Sequence, residues 1–408
     1  MTALKGKDDE RIARIRQALQ DSNLDALVVS LPRHVLMLTG YAPVIGTALA
    51  VCTREEGIGL LAPEDERQFA EQSWADQIDY FQPSSLHELQ ALPHVVLPAL
   101  QQLSLKLGLV RGRIGVGSGP ASQPSSYSCV NVYGASLRQM LARALPEANL
   151  MEAGDTLAKL ESVKTAREIS HIRTACSVAA AAYEKGKGLI EAGVSEMGLA
   201  AGFSAEFTLA AASAALDRQH AFIYCMSGPN AARARFAYAH STARRIGRND
   251  QVLVHCNASV NGCWIDITRT YALGDTSATA ARLFSVVLQA RDAALAAVAP
   301  GANARDVDMA ARQVIARNGF AQGFTHSAGH GVGFGAIDAL AIPRLHPESG
   351  DLLESGMVFN LEPAIYLDGT AGVRHCEMVA VSQSGAELLT PFQSGLDQLS
   401  IPRRRKAA

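Results

Sequence analysis

The chain has 408 residues, enough at ~100–200 residues per domain for two or three domains, each able to bury a core. Apolar residues make up 48% and charged residues 19%, which excludes disordered, collagen-like and disulfide-scaffold classes. With 37 Lys+Arg against 39 Asp+Glu the net charge is −2, too little to hold a polyanion, so no nucleic-acid partner is expected.

The N-terminus turns charged at once, through Lys5, Lys7, Asp8, Asp9 and Glu10. No apolar run approaches the ~18 residues of a membrane span, so no membrane partner and a cytoplasmic location are expected. Residues 10–22 place Ile12, Ile15 and Leu19 at helical spacing, and Asp25–Leu31 reads as a buried strand. Strand-like runs at Gly57–Leu61 and Arg113–Gly117 complete a small α/β unit, and Ser118–Ser128 is a loop rich in Gly, Pro and Ser. Helix-compatible Ser136–Leu145 then leads to a domain boundary, set at residues 158/159.

Beyond it, a helix over Ala166–Ala192 stops at Gly193, and a second starts at Ser195. Strands follow at Gln251–Cys256 and Cys263–Ala272. The order then repeats, with helices at Ala278–Ala299 and Ala304–Asn318 and strands near Met357–Ile365 and Val373–Val381. Ala192-Gly193-Val194-Ser195 and Pro300-Gly301-Ala302-Asn303 are equivalent punctuation, so a helix-helix-hairpin unit occurs twice. The seven cysteines form an odd set with no Cys-x-x-Cys, which suits a reducing compartment. Residues 401–408 form a basic tail, read as solvated.

Four clusters in the second half carry chemistry. Asn261-Gly262 favours a two-residue type I′ turn, which sets Asn257 opposite Asp266 and His255 opposite Thr268 on one face of a hairpin. The other face pairs Cys256 with Ile267 and Ala258 with Ile265. Polar groups projecting from so apolar a hairpin cost desolvation energy unless paired or coordinated, and therefore suggest a site. Thr325–Phe334 sets His326 and His330 among glycines that let the backbone fold closely around the imidazoles. Glu362-Pro363 sits within an apolar strand, and Arg374-His375-Cys376-Glu377 interrupts the last one. Such clusters of Asp, His, Glu and Cys fit a metal hydrolase, in which bridging carboxylates hold cations that generate hydroxide and polarise a carbonyl.

These residues resemble the pita-bread family of Xaa-Pro aminopeptidases, prolidases and creatinase over nearly the whole chain. The resemblance is carried by Leu24–Val29, Leu38–Tyr41, Lys164–Ile169, Ser227–Asn230, Asp266–Thr270, Gly329–Gly333, Gly356–Pro363 and Gly372–Arg374. It implies an α+β protein, with an N-terminal creatinase/prolidase-like α/β domain (1–158) and a C-terminal pita-bread catalytic domain (159–400) that contains an internal pseudo-twofold. It also implies a homodimer.

The family's peptidases hold a dinuclear Mn, Co or Zn centre on two Asp, one His and two Glu. Carried over, the second Asp is Asp266, the His is His330 and the first Glu is Glu362. The first Asp falls on His255 and the second Glu on Cys376, with Glu377 one place later, where strand alternation turns it away unless a bulge intervenes. Of the substrate histidines, one aligns with Tyr238, with His240 two residues on, and another with Ile337. Creatinase, which works without a metal, would align its two substrate glutamates with Thr268 and His375.

The leading expectation is a hydrolase of a C–N amide bond in a dipeptide or peptide-like molecule. In it Asp266, His330, Glu362, His255 and Cys376 hold one or two cations, with zinc favoured by the His and thiolate donors. Glu362 would accept the proton of the attacking water, and His326 and His240 would orient substrate or stabilise the oxyanion. The alternatives are a metal-free, creatinase-like hydrolase of a small amidine or lactam, with His330 or His240 as base, and a non-catalytic pita-bread binding protein.

Overall fold

The computed structural model describes residues 6–44, 48–55, 57–83, 86–88, 91–117, 134–216, 218–235, 240–335 and 341–402. The Ser118–Ser128 loop, Tyr238, Ile337 and all but the first two residues of the basic tail lie outside them. The chain divides into two compact units that meet in sequence at Arg167/Glu168. The expected boundary at 158/159 falls within a helix, Gly154–Ser162, that belongs to the first unit. Buried Arg11 fixes it there by donating to the carbonyls of Leu160 (2.6 Å) and Val163 (3.0 Å).

In the first unit, apolar runs bounded by turn residues become β1 (Ala26–Val29), β2 (Leu49–Thr53), β3 (Ile58–Pro63), β4 (Gln77–Phe81), β5 (Arg111–Val116) and β6 (Glu147–Glu152). They form one mixed sheet in the order β4-β3-β2-β1-β5-β6. β1, which reads Ala-Leu-Val-Val, is buried on both faces, as a strand covered from two sides must be. The predicted helix over 10–22 is Asp9–Asp21, with the Asp8 carboxylate accepting from the Arg11 backbone N–H at its start.

In the second unit, helices at Ala166–Lys187 and Glu196–Ser213 precede β7 (Gln219–Ser227), β8 (Gln251–Val260) and β9 (Cys263–Leu273). Helices at Ala278–Ala296 and Ala304–Arg317 precede β10 (Val358–Leu361), β11 (Ala364–Leu367), β12 (Ala371–Arg374), β13 (Glu377–Ser382) and β14 (Gly385–Leu388); β15 (Ser400–Ile401) follows. Three sheets result, ordered β15-β9-β8-β7, β10-β13-β14 and β11-β12.

The duplication is visible in the backbone. Gly193 donates to the carbonyl of Ile246, which donates back to Val194, and Gly301 and Ala302 make the same pair of bonds with Leu353. Both glycines have positive φ, 93° and 84°, which an L side chain rarely adopts. Ser195 and Asn303 then make equivalent isolated bridges, to Arg245 and Leu352.

The two strands predicted at Met357–Ile365 and Val373–Val381 are each broken in two. β10 pairs with β13 and β11 with β12, so both breaks occur at one level: Glu362-Pro363 on one strand, His375-Cys376 on the other. Pro363 has no N–H to give to a ladder, and the interruption frees Glu362 and Cys376 from regular alternation.

Candidate active site

The β8–β9 hairpin sets the register of the site. Asn261 and Gly262 both have positive φ, 50° and 85°, the signature of a type I′ turn. The ladder pairs Asn257 with Asp266 and His255 with Thr268, while β7 adds Phe222 opposite Asn257 and Tyr224 opposite His255. Tyr224 stacks on His255 with ring centroids 4.6 Å apart.

The predicted residues divide into those brought together and those kept apart. Asp266 Oδ1 lies 3.6 Å from His255 Nδ1, Asp266 Oδ2 3.9 Å from His330 Nε2, and Cys376 Sγ 3.8 Å from Asp266 Oδ1. Glu362 Oε2 lies 3.9 Å from Arg374 Nη1. His326 is half-buried nearby, its Nε2 3.2 Å from the Tyr366 hydroxyl and its Nδ1 2.7 Å from the Ser327 carbonyl. His240 is exposed, in contrast to the buried His255, Asp266, His330 and Cys376. Glu377 turns away: its carboxylate accepts from Arg269 (2.8 Å), His375 Nε2 (2.8 Å) and Thr390 (2.5 Å), all buried. Cys376 therefore faces Asp266, and Glu377 serves the network behind β9. His375 is bound to Glu377 in that network, while Thr268 stays on the His255 face, so the two creatinase-aligned positions do not meet.

Arg374 is the residue that motif matching undervalued. Its guanidinium is buried and donates to Thr268 Oγ1 (3.0 Å), the Tyr224 hydroxyl (2.9 Å) and His255 Nδ1 (3.0 Å). Burial opposes its charge, but Tyr224, Tyr366, Glu362 and Asp266 outweigh burial and hold it firmly protonated. A guanidinium has no acceptor atom, so His255 Nδ1 must carry a lone pair and the ring proton must sit on Nε2. Burial and then Arg374 push the His255 pKa well down, keeping the ring neutral.

His330 is fixed in the opposite tautomer. Its Nδ1 faces the Gly331 carbonyl at 3.1 Å and so carries the proton. Asn360 Oδ1 accepts from the His330 backbone N–H (2.7 Å), which directs the Asn360 amide nitrogen to His330 Nε2 at 3.3 Å. His330 Nε2 therefore carries a lone pair, which accepts from the Asn360 amide beside the Asp266 carboxylate. Gly329 permits this approach, because a Cβ there would lie 1.9 Å from the Asn360 carbonyl oxygen. Burial, then Glu362, push the Asp266 pKa up to about 6.

A second structural residue escaped the sequence reading. Buried Glu196 accepts hydrogen bonds from the Ser227 N–H and hydroxyl, the Asn230 amide and the Thr242 N–H and hydroxyl, at 2.6–3.1 Å. It anchors the Ser227-Gly228-Pro229-Asn230 turn at the end of β7. A lone Glu at the start of a helix carries no sequence signal for that role.

The arrangement defines a buried hydrolase-type site on a duplicated pita-bread unit, preceded by a creatinase-type domain. Residues 170–383 match metallopeptidase family M24, and residues 11–119 match the creatinase/prolidase N-terminal domain. The chain is 24% identical over 393 residues to the Xaa-Pro dipeptidase of Pyrococcus horikoshii, covering 95% of this chain and 99% of that protein. It is 30% identical over 250 residues to an uncharacterized peptidase of Staphylococcus aureus, covering 60% and 68%. Among solved structures, the prolidase of Pyrococcus horikoshii superposes with TM-score 0.73 at 23% identity (93% and 98% covered). The Xaa-Pro dipeptidase from Bacillus anthracis does so with TM-score 0.75 at 22% identity (94% and 98%). The chain belongs to metallopeptidase family M24 and is a hydrolase of that family.

Family membership implies use of a divalent metal, but the donor set here does not fit a dinuclear centre. His255 has given its lone pair to a fixed guanidinium and carries its proton on the other nitrogen. Burial, then Asp266 and Glu362, push the Cys376 thiol well above its ordinary pKa, and Sγ donates to the Asp266 carbonyl at 3.2 Å. To ligate a metal, the Cys376 thiol would have to lose its proton against this burial, and His255 would have to give up its bond from Arg374. Among the described residues, no group of three or more His, Cys, Asp and Glu side chains is placed to hold a metal ion.

Proposed function

We propose that the chain hydrolyses a C–N amide bond in a dipeptide or similarly small peptide-like molecule, with its own side chains supplying the acid-base chemistry. The observation that carries this reading is the Asp266–His330 pair, in which a tautomer-fixed imidazole holds its Nε2 lone pair, met by the Asn360 amide, 3.9 Å from a buried carboxylate. The attacking water displaces the Asn360 amide from His330 Nε2, which then takes that water's proton and returns it to the leaving nitrogen, while ionised Asp266 stabilises the imidazolium formed between these steps. Arg374 supplies a fixed positive charge beside Glu362. The Xaa-Pro dipeptidase relative, matched over nearly its full length, supports a dipeptide-sized substrate.

The test is amine release from a panel of Xaa-Pro dipeptides, other dipeptides and small amides, before and after exhaustive dialysis against a chelator. Turnover that survives dialysis and falls by roughly 10²–10⁴ in His330→Ala, the usual worth of a general base, supports the proposal. Activity abolished by the chelator and restored by Mn or Zn overturns the metal-free mechanism, and no turnover of any amide overturns the reading as a whole.

A further inference from the structure

Among the described residues, two buried polar atoms on one face of β8 find no hydrogen-bond partner: His255 Nε2 and Asn257 Nδ2. Both residues are only 3% exposed. Arg374 fixes the proton on His255 Nε2, so this atom is a donor, as is the Asn257 amide nitrogen. Leaving two donors unpaired in a buried site is costly, and a cost of this kind persists where a ligand repays it.

The surrounding register shows what that ligand carries. On this face of the sheet, Asn257 is flanked by Phe222 and Asp266, and the next row outward is His220, Ser259 and Trp264. Phe222 is 51% exposed. His220 packs edge-on against it with centroids 4.6 Å apart, and against Trp264 at 6.2 Å. The face thus runs from an open aromatic row, through a pair of unsatisfied donors, to Asp266 and Arg374.

We infer that His255 Nε2 and Asn257 Nδ2 form a donor pair for the carbonyl oxygen of the scissile amide, and that Phe222, His220 and Trp264 receive an apolar side chain next to that carbonyl. The ligand class is a neutral amide with an aromatic or large aliphatic flank. A neutral carbonyl suits the position better than a carboxylate, because the ionised Asp266 stands directly opposite Asn257. The inference rests on the amide-hydrolase reading for the identity of the carbonyl, but its test requires no turnover.

Phenylacetamide and acetamide serve as probes, titrated into the full chain and followed by the ¹⁵N–¹H resonances of the His255 ring and the Asn257 side chain. Phenylacetamide is expected to shift both resonances and to bind at least tenfold more tightly than acetamide. Asn257→Ala and Asn257→Asp should each weaken phenylacetamide by tenfold or more, and Phe222→Ala should erase the advantage of the ring while leaving acetamide unchanged. Asn257→Ala removes an unpaired buried donor, so it should melt no lower than the parent, which separates lost binding from lost folding. Phenylacetamide that fails to bind the parent, or that binds Asn257→Ala and Phe222→Ala as it binds the parent, overturns the inference. Turnover of amides with no such binding would overturn it while leaving the hydrolase reading intact.

Discussion

If the centre lacks a metal because two donors are wrong, restoring those donors should restore the metal. The perturbation is His255→Asp with Cys376→Glu, which returns both family carboxylates to a site that already holds Asp266, Glu362 and the Arg374 guanidinium. At a separation like the 3.6 Å between His255 Nδ1 and Asp266 Oδ1, two carboxylates would repel by on the order of 4 kcal/mol at an effective dielectric of 20. The metal-free double variant should therefore melt below the parent. A divalent cation binding only the folded state adds RT ln(1 + [L]/Kd), about 2.7 kcal/mol at a hundredfold excess over Kd. At roughly 2–4 °C per kcal/mol for a domain of 150–250 residues, that is a rise of roughly 5–10 °C. Differential scanning calorimetry across a Mn and Zn titration, with metal content measured after dialysis, reads both effects. The parent should move by less than a degree and retain no stoichiometric metal. A parent that shows the same metal-linked rise would refute the argument that Arg374 and the Cys376 thiol disable the centre. A well-folded double variant that gains nothing would show that the missing carboxylates are not what the metal lacks.

The Asp266 carboxyl, pushed up to about 6 by burial and by Glu362, must be ionised to support the imidazolium, so kcat/KM should fall as pH drops through about 6; Asp266→Asn should lose that limb along with most of the rate. His375 is held neutral, its pKa lowered by burial and then Arg269 from 6.5 to about 4, so the unfolded chain binds the proton more readily. This contribution, on the order of 3 kcal/mol at about 1.4 per unit, is present above pH 6.5 and lost as pH falls toward 4; urea unfolding at pH 7 and pH 4.5 should show the loss in the parent and a smaller one in His375→Gln. Glu377→Ala strands the fully buried Arg269 guanidinium and should cost about 3–5 kcal/mol, read in the same unfolding assay. Gly329→Ala places a Cβ 1.9 Å from the Asn360 carbonyl oxygen, a backbone atom, so it should displace His330 and lower both kcat and the melting temperature.

Local rules reach some of these features and stop short of others. The Asn-Gly turn specified the β8–β9 register residue by residue, because a side-chain period of two leaves no freedom once the turn is fixed. Helix-stop glycines at 193 and 301 marked the duplication for the same reason: positive φ is a local demand with a local signature. The breaks at Glu362-Pro363 and His375-Cys376 were less legible, since each looks like a polar interruption of one strand. Only the pairing of the two strands shows that both interruptions serve one level of the fold.

The Arg374 environment was illegible for a stronger physical reason. Its partners come from β7, β8 and β9, at Tyr224, His255 and Thr268, and a guanidinium selects them by geometry in space, with no spacing along the chain to betray it. Aligned by motif, His255 is an imidazole at a metal position, a plausible ligand on chemistry alone. Set against Arg374, the same imidazole must accept at Nδ1 and donate at Nε2, and the donor atom is the one that finds no partner among the described residues. One neighbour thus converts a candidate ligand into a candidate oxyanion donor, a change of role that the motif alone does not show.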